Sequence, residues 1–132
     1  MIVWNHRSPS LEYAPMLADC PGREIFNHLT SRWGFLVLLA LADGPLRFHA
    51  LRDQVEGVSE KVLSETLRTL VRDGLITRSV NPTVPPQVTY ALSDLGREVA
   101  PLLDKVRNWL AWRVSDVLAA QCEFDQRGTA GG

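Results

Sequence analysis

The sequence predicts an α+β fold, mostly helical, in which a helix-turn-helix is followed at once by a β-hairpin. Three observations predict it. Residues 59–73, SEKVLSETLRTLVRD, carry Val62, Leu63, Thr66, Leu67, Leu70 and Val71 in pairs every four residues, the spacing of a buried helical stripe. Three residues, Glu56-Gly57-Val58, separate that helix from a shorter amphipathic segment at 47–55. Beyond it, Gly74 stands where a left-handed C-cap belongs, and two alternating segments, 75–80 and 87–92, flank a proline-rich loop.

Composition narrows the class. With 132 residues the chain is long enough for one domain with a real core. A net charge of −1 and a pI near 6.3 argue against a protein that coats nucleic acid by bulk charge, but a basic patch can sit on an acidic body. The two cysteines, Cys20 and Cys122, form no C-x-x-C pair, and His6, His28 and His49 make no H-x-x-x-H spacing, so neither a zinc site nor another cofactor is expected. No paired acid and base, nucleophile elbow or phosphate loop points to an enzyme. The N-terminus lacks a secretory apolar core and the longest apolar run, 33–42, is too short for a membrane span. A cytoplasmic location with free thiols and no membrane partner is therefore expected.

Taken in order, residues 1–19 form an arm. Pro9 and Pro15 limit regular structure there, yet Trp4, Leu11, Tyr13, Met16 and Leu17 are too apolar for a free tail, so the arm should pack, with a second subunit as one candidate surface. The winged domain proper is expected over 20–120. A helix begins near Cys20-Pro21, because proline suits a first turn whose N–H has no partner. Ile25, Phe26 and Leu29 give it an apolar face. Thr30-Ser31 offers a cap for residues 33–43, WGFLVLLALAD, which are apolar all round and read as the central buried helix, stopped by Gly44-Pro45.

In the 47–55 helix, Phe48, Leu51 and Val55 face inward. Ser59 caps the next helix through its hydroxyl. Residues 81–86, NPTVPP, form the hairpin tip. Ser93 or Asp94 caps a last helix, to about residue 120, carrying one stripe of Leu95, Val99, Leu102, Val106 and Trp109 and a second of Leu103, Leu110, Val114, Val117 and Leu118. Pro101 should kink or split it. Residues 121–132 read as a flexible tail.

Helix, turn, longer helix with a polar outer face, then hairpin is the order of a winged helix-turn-helix. Its second helix fits the major groove, where polar and forked side chains reach base edges. Lys61, Ser64, Glu65 and Arg68 are the candidates for that role, against the bland reading of a solvated face. Arg47, Arg52, Arg72 and Arg78 surround them as candidate phosphate contacts, Ser59 is a cap that can also touch a phosphate, and Thr83 and Pro85 at the wing tip are placed to approach backbone or minor groove. From Arg47 to Arg78, six basic residues face five acidic ones, a local net of +1. Binding must then rest on arrangement rather than excess charge, and one domain alone would bind weakly. Trp33, Trp109 and Trp112 could line a ligand pocket, but core or dimer seam is the commoner fate of such aromatics.

These residues also carry a family resemblance. Cys20-Pro21, Trp33, Gly44-Pro45 with Arg47-Phe48, Leu51-Arg52, Ser59-x-Lys61-x-Leu63, Leu67-Arg68-x-Leu70, Asp73-Gly74-Leu75-Ile76-x-Arg78, Val84-Pro85-Pro86-x-Val88-x-Tyr90, Leu92-Ser93-x-x-Gly96 and Trp109 together resemble an HxlR-type transcriptional regulator, within the winged-helix class that includes MarR-like proteins. Arg32 and His49 depart from the commoner residues at their positions. The resemblance covers about residues 20–110 and implies a homodimer that binds double-stranded DNA at a two-fold operator, with N- and C-terminal helices pairing the subunits. It also bears on Cys20. A helix N-terminus and nearby Arg23 favour the reactive thiolate, and several HxlR-type proteins look as though they sense electrophiles, oxidants or aldehydes with a cysteine here. The bland alternative is a small buried hydrophobe. The rival to the whole reading is a winged-helix protein-interaction module that binds no DNA.

Overall fold

A computed structural model describes residues 21–130, with side chains to Arg127 and the backbone beyond. The expectations for the arm at 1–19 and for Cys20 lie outside the described residues. The elements run α1 (Pro21–Thr30), α2 (Arg32–Ala40) with a 3-10 turn (Leu41–Asp43), β1 (Leu46–Arg47), α3 (Phe48–Gln54), α4 (Glu60–Arg72), β2 (Ile76–Asn81), β3 (Gln87–Leu92) and α5 (Asp94–Ala130). This is the mostly helical α+β winged helix-turn-helix that the sequence predicts.

The core is built by leucine and valine at helical spacing. Val37 and Leu38 of α2, Leu51 of α3 and Leu63, Leu67 and Leu70 of α4 are buried at 0–1% exposure. Each such burial stabilises the fold by about 1.5–3 kcal/mol relative to exposure. Caps set the ends as expected. Ser31 accepts from the Gly34 N–H at 3.2 Å, and Ser93, rather than Asp94, accepts from the Gly96 N–H at 3.1 Å.

Two glycines set the path of the chain after α4. Gly74 turns it into β2 at φ +73°, a left-handed conformation that side chains disfavour. Gly96 lets α5 close on that turn: a Cβ there would stand 2.1 Å from the Leu75 carbonyl oxygen. The Ser93 hydroxyl donates to the Gly74 carbonyl and the Ser93 N–H to the Leu75 carbonyl at 3.0 Å, so α5 starts from the α4–β2 junction.

Three expectations are corrected. The hairpin is part of a three-stranded antiparallel sheet, order β1-β3-β2, because Leu46 and Arg47 pair with Tyr90 and Thr89; a two-residue strand is too short to show alternation. The apolar face expected on α1 meets the core at Leu29, while Ile25 and Phe26 remain over 40% exposed. Of the kink or split expected at Pro101, the split is absent: α5 is continuous through it, and the proline takes an exposed position, where its ring costs a backbone hydrogen bond but not the helix. And the helix does not end near residue 120. It runs unbroken to Ala130, so the expected tail begins inside α5, supported by an i,i+4 pair between Glu123 and Arg127. At 37 residues α5 is about 55 Å long. Gly96, Ala100 and Leu103 are its buried residues, and beyond them it projects from the domain with its apolar side chains exposed.

Candidate nucleic-acid interface

Helix α4 forms where its sequence predicts. The Ser59 hydroxyl accepts from the Val62 N–H at 3.1 Å, and Leu63, Leu67 and Leu70 turn inward. The remaining positions must then face out, and Lys61, Ser64, Glu65, Arg68 and Arg72 are all exposed. Thr66, counted in the apolar stripe, satisfies its hydroxyl on the Val62 carbonyl at 2.8 Å, which lets it sit half-buried.

The structure sorts the cations. Arg52 is paired with Glu60 across the turn and lies 3.9 Å from Asp53. It therefore ties α3 to the first residue of α4, with a worth of about 0.2–1 kcal/mol for so exposed a pair. Arg47 donates to the Gln87 side chain and fastens β1 to the start of β3. On α5, Arg97, Arg107, Arg113 and Arg127 are each held by an acidic neighbour three or four residues away. Arg32 lies over the Trp33 ring at 5.4 Å. By contrast Lys61, Arg68, Arg72 and Arg78 have no hydrogen bond, ion pair or ring contact; among the lysines and arginines of the described residues, Lys105 is the other in that state. Arg68 thus pairs with neither Glu65 nor Ser64. The four free cations of the motif lie on α4 and the adjoining strand β2.

The outer row of α4 also divides between two flanks. Ser64 and Arg68 share with Leu67, Val71, Arg78 and Tyr90 a crevice of about 260 Å³ against the sheet. Glu65 lines a different hollow of about 230 Å³, with His28, Ser31, Gly34, Thr66, Thr69 and Leu70, on the side of α1 and α2. The wing tip stands clear. Residues 81–86 are exposed, Val84 completely, and the Thr83 hydroxyl donates to the Pro85 carbonyl at 2.9 Å, which shapes the tip from within.

Sequence reasoning missed three contacts here. His28 Nδ1 lies 2.6 Å from a carboxylate oxygen of Asp73, whose side chain is 6% exposed, and so links α1 to the C-cap of α4. Tyr90 joins the crevice because it stands opposite Arg78 in the β2–β3 register. Gln87 engages Arg47. In each case the partners are distant in sequence or meet only through strand pairing, so no local pattern signals them. Trp33 packs against the core, while Trp109 and Trp112 are exposed on α5; the three do not meet around a pocket. Among the described residues no group of three or more metal-ligating side chains comes together, and no single helix is long and apolar enough to cross a membrane.

Comparison with known proteins agrees with this geometry. A family model described as HxlR-like helix-turn-helix matches residues 28–116. The HTH-type transcriptional regulator YtfH of Escherichia coli K12 is 43% identical over 117 residues, which cover 88% of this chain and 93% of YtfH. The structure of the transcriptional regulator YtfH from Salmonella typhimurium superposes with a TM-score of 0.76 at 42% identity, over 80% of this chain and 95% of that one. The diamide-treated YodB from Bacillus subtilis superposes with a TM-score of 0.61 at 29% identity, over 73% and 96%.

Proposed function

The chain belongs to the HxlR-like helix-turn-helix family, and we propose that it works as a homodimer on a two-fold DNA operator, with α4 of each subunit in a major groove. As a member of that family it is a DNA-binding transcriptional regulator, and the interaction-module alternative falls away. One observation carries the assignment of the DNA face: the motif's unpartnered cations, Lys61, Arg68, Arg72 and Arg78, are gathered on α4 and β2, while every other lysine and arginine of the described residues except Lys105 is held by the protein. Water-facing guanidinium and ammonium groups without counterions are what a phosphate backbone neutralises.

In this reading Lys61, Ser64, Glu65 and Arg68 enter the groove, and Arg72 and Arg78 meet phosphates. Arg47, Arg52 and Ser59 act at the backbone through the angle they hold between α3, α4 and the sheet. Thr83 and Pro85 carry the wing tip toward the flanking backbone.

Dimerisation rests on α5. Val106, Trp109, Leu110, Val117 and Leu118 leave a large apolar surface in water on a helix that projects from its own domain. A second copy would cover it and hold two α4 helices roughly 34 Å apart, one turn of DNA. A signal that rotates the subunits would break this spacing. Diamide oxidises thiols, and the likeness to a diamide-treated YodB supports a response to oxidants or electrophiles through Cys20, in a cytoplasmic setting.

The test is a fluorescence-anisotropy titration against DNA over a range of salt. Affinity should fall steeply with salt, and Lys61→Ala with Arg68→Ala should remove specific binding. A chain that binds no duplex at low salt would sink the reading. For Cys20, alkylation by iodoacetamide no faster than that of free cysteine at neutral pH would end the sensing role.

A further inference from the structure

We infer that the crevice between α4 and the sheet is a seat for one sugar–phosphate unit of the DNA backbone, clamped by Arg68 and Arg78 together, so that Arg68 positions the protein on DNA and does not read a base. This rests on the DNA-binding reading above and differs from it in one respect: Ser64 and Arg68, grouped there with the groove-entering residues, are assigned to the backbone.

The crevice is lined by Ser64, Leu67, Arg68, Val71, Arg78 and Tyr90. Four of these carry donors, and none of the four side chains has a partner within the protein. Two of the donors are guanidiniums, and no carboxylate lines the space. Two like charges facing one hollow repel unless an anion lies between them. The other arginines of this motif show what the fold does when it neutralises or ties down such a group: Arg52 meets Glu60 and Arg47 meets Gln87. Here no such partner is supplied. The shape fits the same occupant. Leu67 and Val71, one helical turn apart, and the Tyr90 ring, half-buried against the core, supply apolar wall for the carbons of a deoxyribose. The guanidinium forks suit the two free oxygens of a phosphodiester, which planar paired donors grip better than a point charge does. The Ser64 and Tyr90 hydroxyls can add neutral donors to the same oxygens.

Register makes the site rigid. Arg78 is paired across from Tyr90 in the sheet, and Ser64 and Arg68 are one turn apart on a helix whose opposite face is fixed in the core. A group held between two such elements sets the depth and rotation of α4 in the groove. Base discrimination then falls to Lys61, near the N-terminus of α4, and to Glu65, which faces the other flank.

The test uses the full-length chain and a duplex selected by it from a random pool. Arg68→Gln and Arg78→Gln should each weaken binding by a similar factor across all single-base variants of that duplex. Each should lower the slope of log affinity against log salt by about two per dimer, one phosphate per half-site. The double variant should lower it no further, because both arginines serve one phosphate. A neutral methylphosphonate at that position should reproduce the loss with the wild-type chain, and should cost Arg68→Gln nothing more. An Arg68→Gln chain that relaxes preference at one base pair would overturn the proposal, as would a double variant whose slope falls by the sum of the two. Either result leaves DNA binding standing, whereas a wild-type chain that selects no duplex would remove both readings.

Discussion

Helices α4 and α5 are both amphipathic, and they present opposite things to water. On α4 the apolar residues turn inward, and the outer face offers cations that nothing in the protein neutralises. On α5 the arginines are neutralised by neighbours on the same helix, Lys105 is its one unpaired cation, and the largest exposed side chains are apolar: Trp109 at 58% and Trp112 at 83%. Each surface therefore waits for a different partner. Free charge beside a buried stripe calls for a polyanion. Self-paired charge around bare aromatic and aliphatic side chains calls for another apolar surface, and a projecting helix of identical sequence supplies one.

The contrast is most exposed to failure on its buried side. Leu67→Ala removes a side chain that is 1% exposed and should cost about 2–5 kcal/mol, read as a fall in the urea midpoint. Val106→Ala, at 55% exposure, should leave the isolated subunit nearly unchanged and weaken only the concentration-dependent part of the melting temperature. Equal losses for the two would erase the distinction between the helices.

Next in size is the apolar surface itself. Trp109→Asp combined with Leu110→Asp should shift the sedimentation mass at micromolar concentration from dimer to monomer and lower DNA affinity about 100-fold, or about 2.7 kcal/mol. A variant that stays dimeric would move the seam away from α5.

Smaller effects probe the α4 side. Ser59→Ala deletes the cap on the Val62 N–H and should cost about 0.5–2 kcal/mol in thermal or urea unfolding. Arg52→Ala opens the pair with Glu60. Since the pair is reached by solvent on both sides, with Glu60 mostly exposed and Arg52 partly so, stability should change by only about 0.2–1 kcal/mol, and DNA affinity should drop less than it does for Arg68→Ala. An Arg52 effect as large as that of Arg68 would mean that Arg52 leaves Glu60 for a phosphate.

Much of this was legible in the residues. The periodicity of 59–73, the Ser59 cap and the Gly74 turn placed α4 to within a residue at each end, since all three are local: a stripe every turn, a hydroxyl on a free N–H of the first turn, a glycine where φ is positive. The candidate DNA-facing row came by subtraction, because inward leucines leave outward positions determined. The length of α5 was not legible. Its last residues are polar and mixed, and they are held by helix propensity with side-chain pairs such as Glu123–Arg127, a weak signal beside the apolar stripe that stops earlier.

The order of elements and the face each one buries depend on neighbours within a turn or a pleat, so the residues alone settle both. Which charges are free is settled only once the chain has folded. Arg52 finds Glu60 eight residues on, Arg47 finds Gln87 forty residues on, and Arg78 shares its crevice with Arg68 only after β2 has docked beside α4. A count of +1 across the motif treats all six cations alike. Folding withdraws two of them into the protein and leaves Lys61, Arg68, Arg72 and Arg78 facing outward, because ion pairing depends on distance through space and a sequence records only distance along the chain.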